Sequence, residues 1–382
     1  MQVTSTAIRP PWIALPIVGV LALLAIALPL EMVARQLYNE PGPGSTPCLV
    51  MNDMSTGVRG IPNSVCHEKI YESAMAEYRF NSCGHRTIGQ CDLKPPGTYR
   101  IVMVGSSVAE GFTVPYEQSI AALLPERLSR ATGRSVEIYN EGLPFGTPHG
   151  ILLRFDQVLG AHPDMILWPM TPWDINNVSL IIPTGDSHAA LTAILKSRSR
   201  WERLKLELTE KRDLNGFMTK NSRAYFMIQH LLYKSDSIYL AHSLSGTDPY
   251  ASSLMETPSQ EWQAKLDQYA IYVSEMAARA KAAGVPFVVF AVPRHAQGAL
   301  IAENLHPPGI DPFAFGRQMQ RIAEDNGVIY VDILHQFRGI ANINTVFYPV
   351  DQHLSVRGQE IVADLISEGL SHGIIPPAKE VQ

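Results

Sequence analysis

The chain has 382 residues, a formal net charge of −5 at pH 7, and 46% hydrophobic against 18% charged residues. That balance supports a sizeable core and excludes a disordered chain. The negative charge argues against nucleic acid as a partner, because phosphate binding needs a basic surface. No repeat period and no long low-complexity tract is visible.

The first element is a membrane signal. Trp12 to Leu30 (WIALPIVGVLALLAIALPL) carries no charge, and about twenty apolar residues in a helix span a hydrocarbon core. Arg9 precedes this run, while Glu31, Arg35 and Glu40 follow it. The positive-inside bias therefore places the N-terminus in the cytosol and the remainder outside. A cleaved signal peptide is the alternative: Ala25-Ile26-Ala27 has the small-x-small form, but Leu28 and Pro29 follow it and the apolar run is long for a signal. The expectation is a single-pass anchor over residues 1–31 in the inner membrane, with the body periplasmic or otherwise extracytoplasmic.

The cysteines point the same way. Cys48, Cys66, Cys83 and Cys91 all lie between the apolar run and the first strong strand. An even number clustered after an export signal reads as two disulfides, and spacing does not choose among the three pairings. A zinc site is the alternative, weakened by the absence of any C-x-x-C. Pro41-Gly42-Pro43-Gly44-Ser45 reads as a linker. Residues 32–95 thus form a linker and an irregular, disulfide-stapled lead-in, and Pro95-Pro96-Gly97 opens a main domain spanning 96–378.

In that domain apolar strands alternate with helices. Strands are expected at Arg100–Val104, Val136–Tyr139, Met165–Trp168, Val285–Val292 and Val328–Ile333. Between and after them, helices are expected around Ile120–Leu128 (closed by Gly133), at Trp262–Ala282, at Phe313–Asp325 and at Val356–Leu370, the last with Ser355 as N-cap. This rhythm predicts an α/β domain with a parallel sheet covered on both faces, its site beyond the carboxyl ends of the strands. Residues 178–259 break the rhythm and read as a helical insertion. Within it, residues 196–212 carry seven Lys/Arg against three Glu, a run that reads first as a solvated face.

Two places carry the chemistry of a serine nucleophile, which needs an exposed hydroxyl, a base and oxyanion donors. Gly105-Ser106-Ser107-Val108-Ala109-Glu110-Gly111 is a turn after the first strand, with glycines where the backbone must bend. The following helix aims its N-terminal N–H groups at Ser107. Near the C-terminus, Asp351-Gln352-His353 precedes the last helix, and a carboxylate two residues before a histidine can hold one ring nitrogen and leave the other for serine. His295, His335 and His149 lie near other strand ends and read as satisfied polar residues. Thr184-Gly185-Asp186-Ser187 spells G-D-S literally but follows the wrong strand and lacks the later glycine.

Together these features resemble the SGNH/GDSL hydrolase family. Gly105-Ser106-Ser107 with Gly111, then Asn140-Glu141-Gly142, then Trp173-Asp174, then Asp351 and His353 follow the family's order and strand placements. Asn81-Ser82-Cys83-Gly84-His85-Arg86 looks like the N-x-x-G-x-R lead-in of bacterial membrane-anchored members. The resemblance implies a flavodoxin-like three-layer α/β fold behind the transmembrane helix. It implies Ser107 as nucleophile, His353 as base and Asp351 as orienter. Gly142 and the Ser107 N–H become oxyanion donors, and Asn140 and Asp174 line the substrate. Ser106 replaces the family's Asp. Trp173 stands where the family's Asn would donate to the oxyanion; either the indole N–H, or Asn176 or Asn177, takes its place, or the site runs on Gly142 and the Ser107 N–H alone, with Trp173 donating or simply closing the acyl pocket with its ring.

The function so implied is an extracytoplasmic serine esterase or O-acyltransferase acting on ester-bearing small molecules or polysaccharide, such as acetylated envelope glycan. No metal and no organic cofactor is expected. The alternative is a catalytically degenerate member that binds envelope glycan or a protein partner.

Overall fold

The computed structural model describes residues 15–41, 44, 46–53, 57–87, 89, 91, 94–144, 146–178, 214–248 and 250–378. Ser187 and the basic run of residues 196–212 lie outside them. So do residues 12–14 of the expected span and the side chains at positions 15–17, 20 and 23.

Helix α1 (Leu15–Leu37) leads the chain. Val18, Leu21, Leu24, Ile26 and Leu28 are exposed on it. Among the described residues no helix is long and apolar enough to cross a membrane.

Residues 46–91 hold more order than their composition suggests. β1 (Leu49–Asp53) pairs antiparallel with β2 (Gly57–Gly60), and β3 (Val65–Glu68) with β4 (Ala76–Arg79). Disulfides Cys48–Cys66 and Cys83–Cys91 staple this layer, which excludes the zinc alternative for these thiols. Tyr78, Phe80 and Val58 form a small core of their own with the first disulfide. Gly60 and Gly84 meet backbone to backbone: a Cβ on either would lie within 2.4 Å of a carbonyl of the other. Gly84 also has φ +79°, a conformation that suits glycine.

The main sheet has five strands: β5 (Tyr99–Met103), β6 (Val136–Asn140), β7 (Met165–Met170), β8 (Phe287–Ala291) and β9 (Ile329–Val331). All neighbours are parallel, in the order β6-β5-β7-β8-β9. β5, β7 and β8 are buried along their whole length, which explains their unbroken apolar runs. Counted within the sheet, the order is 2-1-3-4-5. The architecture is the flavodoxin-like three-layer α/β fold that the resemblance implies.

Helices fill the crossovers. α2 (Ser107–Glu110) and α3 (Ile120–Thr132) follow β5; α4 (Pro148–Leu153) and α5 (Phe155–Gly160) follow β6; α6 (Pro172–Asn176) follows β7. α7 (Leu214–Asn221), α8 (Arg223–Tyr233) and α9 (Asp236–His242) come next, then α10 (Gln260–Ala282). α11 (His295–Ala302), α12 (Ala314–Asp325) and α13 (Val356–Ser371) complete the set. α3 packs on α13, while α10 packs on α4, α6 and α12. Caps appear where the sequence places them: Ser355 accepts from the Gly358 N–H, and Gly133 ends α3 at φ +69°. α1 packs along α8, and Glu31 of α1 accepts hydrogen bonds from the Arg223 and Ala224 N–H groups at the start of α8.

Candidate active site

Ser107 stands at the carboxyl end of β5, the strand on which the order of the sheet reverses. The turn that lifts it depends on Gly105, whose φ is +146° and on which a Cβ would meet the Ala109 Cβ at 2.8 Å. Ser107 is the first residue of α2, and the preceding Ser106 side chain makes no capping bond. The first N–H groups of that helix lack intrahelical partners, as at any helix start, and that end favours negative charge.

His353 comes from the loop between the edge strand β9 and α13. Ser107 Oγ lies 2.8 Å from His353 Nε2, and His353 Nδ1 lies 2.6 Å from Asp351 Oδ1. With the proton on Nδ1, the imidazole donates to Asp351 and its Nε2 accepts from the serine. Burial pushes the Asp351 carboxyl up, but the charge and hydrogen bonds of His353, together with Arg294, bring it below the usual carboxylate range. It is therefore ionised at neutral pH, as an orienter must be. The loop that holds the pair is tight: the Tyr348 N–H donates to the His353 carbonyl, and the Gln352 N–H to the Tyr348 carbonyl. Phe112 packs its ring 4.7 Å from that of His353, and Arg294 bonds the Gln352 side chain while lying 3.7 Å over the Tyr250 ring. Neither Phe112 nor Arg294 belongs to a motif, and no local signal marks them.

Several expected roles are corrected. The Gly142 N–H donates to Asn140 Oδ1 at 2.9 Å, so in this arrangement it is not offered to an oxyanion. Its lack of a side chain has another cause: a Cβ there would lie 2.4 Å from the Glu110 N and 2.5 Å from the Ala109 carbonyl carbon, so α2 sits directly on it. Gly146, overlooked in the sequence, plays the same part beneath Gly105, whose carbonyl oxygen would lie 2.5 Å from its Cβ. Asn140 is fully buried and spends its amide on the Gly142 N–H and the Glu110 carbonyl; it braces the turn and does not face substrate.

Asp174 is likewise fully buried. Its Oδ2 accepts from the Thr171 N–H and hydroxyl, at 2.7 and 2.8 Å. Burial pushes its pKa up to about 7, against the lowering influence of Thr171 and of Ser106, which lies beside it. The residue in the family's Asp position thus faces the second carboxyl of the pattern and not the solvent. Trp173 is the second residue of α6 and half-buried; its carbonyl accepts from both the backbone and the side chain of Asn177. Asn176 Oδ1 accepts from Lys265 at 2.9 Å. Of the two asparagines weighed as substitute donors, Asn177 thus spends an amide hydrogen on the Trp173 carbonyl, whereas Lys265 engages the oxygen of Asn176 and not its donor group. His295 is buried between Tyr239 and Phe347, His335 stacks on Phe313 beside Asp332, and His149 packs edge-on to Tyr272. None of them joins the triad.

The N-x-x-G-x-R stretch has a clear physical job. Asn81 Oδ1 accepts from the Cys83 and His85 N–H groups and shapes the turn. That turn delivers Arg86, fully buried, whose guanidinium donates to the carbonyls of Glu110, Gly111 and Val114 at 2.6–2.7 Å and stacks 3.6 Å over Tyr78. The lead-in thereby ties down the end of the nucleophile helix. Next to it, His85 pairs with Glu141 at 2.6 Å, and Arg154 completes the buried group.

Glu110, three residues after Ser107, is fully buried with neither carboxyl oxygen hydrogen-bonded. Burial pushes its pKa up to about 8, against the attraction of Arg86. The folded state then holds an extra proton between the ordinary value of 4.5 and about 8. Wild-type stability must fall as pH rises through that window and level off above it. Glu110→Gln removes the fall. In urea unfolding, the two proteins should converge near pH 5, and the variant should be more stable by roughly 2–4 kcal/mol at pH 9. A pH-independent difference would reject a protonated Glu110.

No family model matches the sequence, and no curated protein matches it. Among solved structures the chain is similar to TesA, at 13% identity and a TM-score of 0.37, covering 71% of this chain and 98% of that one. It is also similar to a mutant of Axe2, an acetyl-xylooligosaccharide esterase from Geobacillus (14% identity, TM-score 0.37, 74% and 97% covered). A third is the psychrotrophic esterase EstA from Pseudoalteromonas, inhibited by monoethylphosphonate (10%, 0.37, 72% and 98%).

Proposed function

We propose that the protein is a serine ester hydrolase of the SGNH/GDSL type, working through an acyl-enzyme on Ser107. The observation that carries this reading is the unbroken line from Ser107 Oγ through the His353 ring to Asp351. In the first half-reaction His353 Nε2 takes the serine proton while Oγ adds to the ester carbonyl. The tetrahedral oxyanion meets the N–H groups at the start of α2. His353 then returns the proton to the leaving alkoxide, and the acyl group stays on Ser107. Water, or the hydroxyl of a second sugar, enters by the same steps in reverse.

Hydrolase and acyltransferase share this machinery, and the acceptor decides between them. The uncharged run from Trp12 to Leu30 and the two disulfides support an anchored, extracytoplasmic enzyme. Esters of envelope polysaccharide are the substrates proposed on that ground. One observation favours a slow enzyme on generic esters: the Gly142 N–H is engaged by Asn140 and the Asn177 amide by the Trp173 carbonyl, and each missing oxyanion donor costs about a hundred- to a thousandfold in rate.

A fluorophosphonate probe on the purified protein tests the assignment. Covalent labelling that maps to Ser107 is expected, as is turnover of short acetyl esters. Absence of label at Ser107, with no ester turned over, would sink the enzyme reading and leave a glycan- or partner-binding protein.

A further inference from the structure

We propose that Glu72 is a positioning residue of the active site, and that helix α8 holds it in place through His230. The inference rests on the serine-hydrolase reading above.

Glu72 comes from the short turn between β3 and β4, far from the triad in sequence. Its side chain is 1% exposed, yet among the described residues it pairs with no Lys or Arg. Its carboxylate instead accepts from the Val350 N–H, at 3.1 Å to each oxygen, and from the Asp351 N–H at 2.8 Å. Its fourth contact is His230 Nδ1 at 2.6 Å. The two backbone donors are Asp351 itself and the residue before it.

This anchor sits where the loop needs one. Gln352, between the orienter and the base, has φ +72°, a left-handed conformation that a non-glycine residue keeps only when its surroundings hold it. On one side of that kink the His353 carbonyl is tied to Tyr348. On the other, Glu72 ties the Asp351 backbone. A carboxylate buried with its oxygens filled by N–H donors is a rigid stop, and it fixes the direction in which Asp351 presents its own carboxylate to His353.

The Glu72 turn is itself packed against the helical insertion of the main domain. Tyr71 meets the Phe226 ring edge-on at 5.0 Å and lies under Arg223 at 3.6 Å, both on α8. Tyr38, just after α1, packs against Phe226 and against the ring of His230, at 5.3 and 5.2 Å. A continuous set of contacts thus runs from the end of α1, through α8 and Glu72, to the loop that carries the base.

The test uses the full-length protein and the variants Glu72→Gln, Glu72→Ala and His230→Gln, read by steady-state ester hydrolysis and by the rate and amplitude of fluorophosphonate labelling. Glu72→Gln keeps the shape but places an NH2 group against a backbone donor or against His230. It should lower kcat and the labelling rate by about ten- to a hundredfold, with KM within about twofold, because small misplacements of catalytic groups are that costly. His230→Gln should show the same pattern with a loss of about three- to tenfold. The low-field proton shared by His353 and Asp351 should shift or broaden in both. Wild-type rates in the two glutamine variants would overturn the proposal. So would a reduced labelled fraction with an unchanged rate per labelled site, since that marks a merely structural role. If Glu72→Ala does not fold, the two glutamine variants decide. A wild type that takes no label at all would instead overturn the serine-hydrolase reading, so the two failures are told apart.

Discussion

Ser107→Ala is expected to abolish turnover of short acyl esters, with a fall of roughly a millionfold in kcat if the serine acts with its base as a unit. His353→Ala should be nearly as damaging, because the hydroxyl's side-chain partner among the described residues is Nε2 at 2.8 Å. Asp351→Asn should retain more activity, since the amide can still contact the ring but does not stabilise the imidazolium. The double variant Ser107→Ala/His353→Ala should be no worse than either alone. Initial rates on p-nitrophenyl acetate, with the labelling amplitude as an independent count of active sites, separate these outcomes. Additive losses in the double variant would mean that the two residues do not form one catalytic unit.

Arg86→Ala is expected to be the most destabilising single change near the site. It would remove a charged donor from three buried carbonyls, leaving those of Glu110 and Gly111 only the longer contacts from the Asn140 amide and the Val114 N–H, and would empty the space over Tyr78. A hydrogen bond from a charged donor contributes about 1.5–3 kcal/mol, so losing three of them is expected to cost more than about 4 kcal/mol. Arg86→Lys should recover only part of this, because an ammonium does not match the planar fork that spans Glu110, Gly111 and Val114. Urea midpoints of the three proteins check the order. A loss below about 1 kcal/mol for Arg86→Ala, the scale of a surface change, would show that the clamp is dispensable.

Much of the fold was legible because its signals are local. The five parallel strands are short unbroken apolar runs, and the helices between them begin and end at Ser119, Gly133, Ser259 and Ser355, residues whose caps are formed as their chemistry suggests. The four strands before Tyr99 were not legible. In β3 the inward positions are Cys66 and Glu68, so the alternation hides behind a disulfide and a carboxylate. β2 has a glycine at each end, and its place is set by close contact with Gly84 more than by strand propensity.

The site divides the same way. Ser107, Asp351 and His353 could be found because each pattern is local and the three fall in a known order. The role of Gly142 could not, since it turns on whether the Asn140 amide reaches that N–H, a matter of side-chain direction. Asn140 and Asp174 stood as substrate ligands through the resemblance alone, and burial depends on packing that no motif encodes: Asn140 lies beneath α2, and Asp174 turns back on Thr171. Glu72 is 279 residues from the N–H of Asp351 that it anchors, and no pattern in the sequence joins them.

The proposed nucleophile, Ser107, and its proposed base, His353, lie 246 residues apart. A ribosome therefore makes Ser107 long before the residue that activates it, and the serine remains an ordinary alcohol until the last helix docks against α3. Contacts so distant along the chain form late, after most of the loop-closure entropy has been spent. Reactivity toward a phosphonate should then appear only with the final stage of maturation, which makes it a clock for completion of the molecule and not merely a count of how much of it has been made.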